Sequence, residues 1–152
     1  MPILDDVSQQ MKDALRAKQK VRLSTLRSMR AGFLNEMKKD GSDSLADEAC
    51  TTVLRKLEKQ RKESIAAFEA GGREDAAAVE REELAVIQTF LPSLADADAT
   101  RAWVDEAIAA SGAAQPGDVG RVMGALMKAH KGEVDGNLAR EIAAERLAAE
   151  SD

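Results

Sequence analysis

Tyrosine is absent from this chain, and tryptophan, histidine and cysteine occur once each, as Trp103, His130 and Cys50. A single cysteine rules out an intramolecular disulfide and suits a reducing compartment. One histidine and one cysteine fall short of the closely spaced ligand set that zinc requires, so no metal site is expected. Aromatic residues make up only 3% of the sequence. The core must therefore be built from Leu, Ile, Val, Met and Ala, which suits packed helices better than sheets. No alternating run of β-branched residues marks a strand. No apolar run approaches the roughly 18 residues that cross a bilayer. The opening MPILDDVSQQM lacks the basic start and apolar stretch of a signal peptide, so a cytoplasmic protein with no membrane partner is expected. Neither of the glycine-rich phosphate-loop patterns occurs. No cofactor is expected, and no small-molecule substrate can be identified.

What is present is charge, unevenly spread. Net charge is −5, but residues 1–62 hold 14 Lys and Arg against 9 Asp and Glu, while the remainder hold 8 against 18. A basic half on an acidic chain hints at an anionic partner, although from charge alone two solvated faces are the better explanation. Helical periodicity covers most of the length. Ile3, Val7, Met11, Ala14 and Leu15 form one apolar stripe. After Lys18–Lys20, a second runs through Leu23, Leu26, Met29, Phe33, Leu34 and Met37. Residues 40–44 read as a turn, with Ser44 and Asp47 spaced as a capping box. A third helix carries Cys50, Val53, Leu54, Leu57, Ile65 and Phe68 and ends at Gly71–Gly72. A fourth opens near Glu74 and Asp75, carries Val79, Leu84, Ile87 and Leu91, and stops at Pro92. Asp96 and Gly112 bracket a fifth helix around Trp103, Val104 and Ile108. Pro116–Asp118 forms a turn and cap before a sixth with Val119, Val122, Met123, Leu126 and Met127. Asp135 caps a seventh with Leu138, Ile142 and Leu147. The expected fold is all-α: a four-helix N-terminal domain over residues 1–91, a hinge at 92–95, and a three-helix C-terminal domain over 96–152.

The segment Gly117–Gly136 is the most unusual. It holds five glycines, three basic residues and the histidine. Gly120 and Gly124 lie inside a helical pattern, where glycine costs roughly 0.5–1 kcal/mol against alanine. Close packing of the sixth helix on a neighbour is the favoured reading of both. Arg121, Lys128, His130 and Lys131 cluster on and after the same helix. They suit either a phosphate grip or charge compensation at a helix C-terminus. Arg27 and Arg30 fall at and within the apolar arc of the second helix, where snorkelling or a structural carboxylate pair is expected. Arg55, Lys59 and Lys62, with Arg61 nearby, make a basic ridge on the third helix, interrupted by Glu58 and Glu63. Cys50 sits on an apolar stripe and reads as a buried hydrophobe, not a nucleophile. Glu80, Glu82 and Glu83 read as a solvated surface run. No pair of carboxylates or nucleophile with its base identifies an active site.

Taken in order, several motifs resemble one family. They are Leu26-Arg27, Asn35-Glu36, Lys59-Gln60-Arg61-Lys62 with Ser64, Gly72-Arg73, Glu83-Leu84 and Phe90-Leu91-Pro92. In the C-terminal half they continue as Asp118, Gly120, Val122-Met123-Gly124, Met127-Lys128, Lys131-Gly132 and Asp135-Gly136. The chain resembles the YqeY family over nearly its whole length. That family is related to the tail domain of the B subunit of the glutamine-dependent tRNA amidotransferase (GatB/YqeY). The resemblance implies an all-helical protein with a larger N-terminal bundle and a small three-helix tail. It implies association with tRNA or with a tRNA-dependent enzyme, because the amidotransferase tail contacts tRNA while other domains perform the chemistry. By this analogy Arg121, Lys128, His130, Lys131 and Gly132 would contact tRNA. His130 stands where the family usually has a small polar residue. The implied role is a non-catalytic module. The alternative is a protein–protein adaptor that docks an acidic partner through Arg27, Lys59, Arg61 and Lys62. A third reading is association with carbon–nitrogen ligation, glutamine being the amido donor, without an active site of its own.

Overall fold

A computed structural model describes residues 1–151. Seven α-helices account for most of it: α1 (Ile3–Arg16), α2 (Lys20–Asp40), α3 (Asp47–Ala70), α4 (Glu74–Gln88), α5 (Ala97–Ser111), α6 (Val119–His130) and α7 (Gly136–Ser151). A single 3-10 turn, Pro116–Asp118, leads into α6. The fold is all-helical, with no strand among the described residues. The chain divides into two compact units, one ending at Pro92 and the other beginning at Ser93.

In the first unit, α1 pairs with α2, α3 with α4, and α2 crosses α4. Val7, Ala14, Leu26, Met29, Phe33, Cys50, Leu54 and Ile87 close the core. These are the i, i+3, i+4 positions of each stripe, so the pattern in the sequence is the pattern of burial. Two stripe members face outward instead: Leu15 is 59% exposed and Val79 45%. Among the glycines, Gly32 has the least room: an added Cβ would sit 2.8 Å from Val53 Cγ1 on α3. In the second unit, Val104, Ile108, Val122, Leu126, Ile142 and Leu147 fill the space among α5, α6 and α7.

Local chemistry sets most helix ends. Asp96 accepts the Ala99 N–H at 2.8 Å, and Asp135 accepts those of Asn137 and Leu138 at 3.0 and 3.3 Å. Gly41 and Gly112 take the left-handed conformation that ends α2 and α5. Glycine reaches it without a Cβ clash. Helix α4 ends at Gln88, short of the expected Pro92. The amides of Thr89, Phe90 and Leu91 reach back three residues, to Val86, Ile87 and Gln88. The chain tightens there because Pro92 offers no N–H to continue and disfavours a helical Leu91.

The expected capping box at Ser44 does not form. Helix α3 begins later, behind Ala46, which has no side-chain cap. Ser44 bonds Ser42 in the loop, and Asp47 Oδ1 accepts the Ile3 N–H at 2.8 Å. The acid therefore closes the first turn of α1 instead of its own helix.

Candidate nucleic-acid interface

Helix α6 is amphipathic, and its two faces separate cleanly. Val122, Met123 and Leu126 are buried, while Gly120, Arg121, Gly124 and Lys128 are exposed. At 3.6 residues per turn those four exposed positions fall within an arc of about 100°. The favoured packing role for the glycines is thereby overturned. A Cβ added at Gly120 or Gly124 meets nothing within 4 Å. The apolar residues at 119, 122, 123 and 126 set which face turns inward, and the glycines lie opposite. They leave bare helix backbone open to solvent beside three cations.

The helix ends at His130, and Lys131 turns the chain out with φ −55° and ψ 127°. Gly132 follows at φ +77°, a conformation that L side chains rarely adopt. The Glu133 amide returns to the His130 carbonyl at 3.0 Å, and the Glu133 carbonyl accepts the Ala95 N–H at 2.8 Å. This pins the turn and leaves the Lys128 and Lys131 side chains in solvent. Arg121, Lys128 and Lys131 are all exposed.

His130 is placed differently from its neighbours. Its ring stacks on Trp103, centroids 3.8 Å apart and planes 7° from parallel. Its Nδ1 lies 2.8 Å from Glu133 Oε2. A carboxylate only accepts, so Nδ1 carries the proton. The histidine ties the end of α6 to α5. The same bond engages Glu133, and Asp135 is occupied as the α7 cap. Two of the acids that crowd this stretch in the sequence are therefore turned to structural work beside the lysines. Asp118 is a third: its Oδ2 accepts the Ala114 and Gln115 amides at 3.0 and 3.3 Å. Those amides, with Arg121 behind them, hold its carboxyl below the ordinary 3.8.

The N-terminal basic ridge is largely consumed within its own unit. Arg61 Nε lies 2.9 Å from Glu83 Oε2 and 3.6 Å from Glu80 Oε2, locking α3 to α4. Glu80 and Glu83 are therefore a clamp, not a solvated run. Burial pushes the Glu83 carboxyl up, against the pull of Arg61. Arg55 donates to buried Glu58 at 3.1 Å and to the Pro92 carbonyl at 3.0 Å. Gln88 donates to the other Glu58 oxygen at 3.2 Å, and Lys62 stands 4.0 Å from it. Lys59 remains exposed on its own. Arg27 and Arg30 are also exposed, and no carboxylate among the described residues pairs with either. Of the two readings of these arginines, the carboxylate pair is absent among the described residues, and their exposure accords with snorkelling. Sequence reasoning missed the Gln88–Glu58 bond, the Trp103–His130 stack and the Gly32 contact, because each joins two helices; Arg55 and Lys62 stand three and four residues from Glu58 on α3, where helical spacing itself offers local ion pairs.

Cys50 is fully buried, and burial raises its thiol pKa. Among the described residues, no three His, Cys, Asp or Glu side chains converge to hold a metal ion. No described helix is long and apolar enough to cross a membrane.

These features define a class: an all-helical chain of two units whose C-terminal one presents a basic, glycine-bearing helix face. The family model described as Yqey-like protein matches residues 4–147. The chain belongs to the YqeY family. It is also 38% identical over 85 residues to a Vanderwaltozyma polyspora protein named "Altered inheritance of mitochondria protein 41, mitochondrial". That match covers 55% of this chain and 45% of the relative, so the chain spans about half the length of the curated relative.

Proposed function

We propose that this chain is a non-catalytic module that binds tRNA, or a tRNA-dependent enzyme with its tRNA, through the outer face of α6 and the turn after it. The observation that carries the reading is the outward placement of Gly120 and Gly124 beside Arg121, Lys128 and Lys131. Helix packing no longer accounts for those glycines. A bare helix face beside three cations lets a phosphate backbone approach closely. Such contacts recognise charge and shape and read no base. The similarity of Asp118–Gly136 to the tRNA-contacting amidotransferase tail supports the same surface. His130 and Gly132 enter indirectly, by shaping the turn that presents Lys131.

The test is binding of total tRNA by the full chain across a salt series. Affinity should fall with salt, with a log–log slope of about 2 for three phosphate-contacting cations, given roughly 0.7–0.9 per neutralised phosphate. Lys128→Glu with Lys131→Glu should reduce both the affinity and the slope. Absence of binding at low salt, or binding indifferent to the double substitution, refutes the proposal. The adaptor reading through the α3 ridge is not favoured, because Arg61 and Lys62 already face carboxylates of their own unit.

A further inference from the structure

The α1–α2 hairpin carries a second surface that the C-terminal reading leaves unused. Between Lys12 and Arg30 stand seven Lys or Arg and one Asp. Met11, Lys12 and Leu15 of α1 face Leu23, Arg27 and Arg30 of α2 across a groove of about 220 Å³. With Ser8, which also lines the groove, the α1 positions are spaced i, i+3, i+4, i+7, and the α2 positions i, i+4, i+7, so each set forms one continuous stripe. The floor is aliphatic, and Leu15 is 59% exposed upon it. The three cations at the rim have no carboxylate partner among the described residues, and no acid lines the groove.

We propose that this groove docks an acidic amphipathic helix of a partner protein. An aliphatic floor rewards aliphatic side chains spaced along one helix face, and the cationic rim rewards Asp or Glu beside them. The volume falls below that of pockets that enclose a drug-sized ligand and suits about two aliphatic side chains. A nucleic acid would use the rim but gain nothing from Met11, Leu15 and Leu23. No aromatic side chain lines the groove for a base to stack on. The proposal stands apart from the α6 surface, which lies in the other unit.

The test uses the full chain and a labelled, Ala-rich peptide of about 18 residues, long enough to form a helix, with Leu at i, i+4 and i+7 and a few Glu flanking them. Anisotropy at physiological salt should show saturable binding. Leu15→Glu, and separately Arg27→Glu with Arg30→Glu, should each weaken it by about tenfold or more. Leu15→Ala, a milder change at an exposed position, should weaken it less, and circular dichroism should show all variants folded. Lys128→Glu with Lys131→Glu should leave peptide binding intact, which separates this proposal from the tRNA reading. A composition-matched peptide with scrambled Leu positions should bind poorly. Four results overturn the inference. One is equal binding of the scrambled peptide. Another is indifference to Leu15→Glu. The third is preferential loss of total tRNA or phosphatidylserine vesicle binding in the arginine variant. The last is self-association that Leu15→Glu abolishes, which would assign the groove to a second copy of this chain.

Discussion

Gly124→Ala should make the second unit more stable, and the size of the gain follows from the open space around it. The residue lies mid-helix in α6, and an added Cβ meets nothing within 4 Å. Contact terms drop out, and what remains is the backbone freedom that glycine retains when unfolded. That difference is about 1 kcal/mol in a helix interior. Gly120, in the first turn, should gain less, about 0.5 kcal/mol. A small domain gains roughly 4–8 °C in Tm per kcal/mol, so the double variant should melt about 6–12 °C higher. Differential scanning calorimetry measures this directly. Gly32→Ala supplies the opposite sign. Its Cβ would stand 2.8 Å from Val53 Cγ1. Val53 is stiff at χ1 and cannot swing away freely. Overpacking of this kind costs about 1–3 kcal/mol, more than the helix preference returns. A lower Tm for Gly124→Ala would falsify the outward placement of the α6 glycines. Stabilisation together with weaker tRNA binding is the outcome that joins the bare helix face to its ligand.

Three further outcomes are expected. Asp96→Ala and Asp135→Ala each remove a helix cap and should cost the second unit about 1 kcal/mol in urea unfolding; a change confined to the first unit would contradict the observed bonds. Asp118 has a folded-state pKa below its ordinary 3.8. The stability it contributes is therefore present above that pH and lost as pH falls through the folded value. Asp118→Asn should lower the urea midpoint at pH 7, and its deficit against the natural protein should shrink in acid; a deficit that grows in acid would oppose this. Cys50 is buried with a raised thiol pKa, so a thiol reagent should react slowly until the chain is unfolded; rapid native labelling would show that α3 opens locally.

The features legible in the sequence are those fixed by near neighbours. Asp96, Gly112 and Asp135 mark helix ends because a cap bonds amides two or three residues away or needs one positive φ. The α2 and α6 stripes are legible because helical spacing selects which residues meet the core. Partner choice across helices is different. Arg61 reaches Glu80 and Glu83 on α4, and Asp47 caps α1, 44 residues earlier. Neither follows from local spacing. The α6 glycines are a different case. Helical spacing alone sets Gly120 and Gly124 away from the stripe of Val119, Val122, Met123 and Leu126, so their outward placement is legible, and the packing reading gave more weight to their cost than to their place on the helix. The basic residues of the candidate surface were legible as a cluster. The bond between His130 and Glu133 was not.

The stack of His130 on Trp103 has a practical side. Trp103 is the chain's one tryptophan, tyrosine is absent, and the first unit's aromatic residues are Phe33, Phe68 and Phe90. All indole emission therefore arises in the second unit, and the first is dark at those wavelengths. A fluorescence melt follows one unit while far-ultraviolet dichroism follows both, so their independence can be read from a single unlabelled sample. The indole also lies against the helix end that carries Lys128 and Lys131, which makes its emission a built-in gauge of whatever settles on that surface.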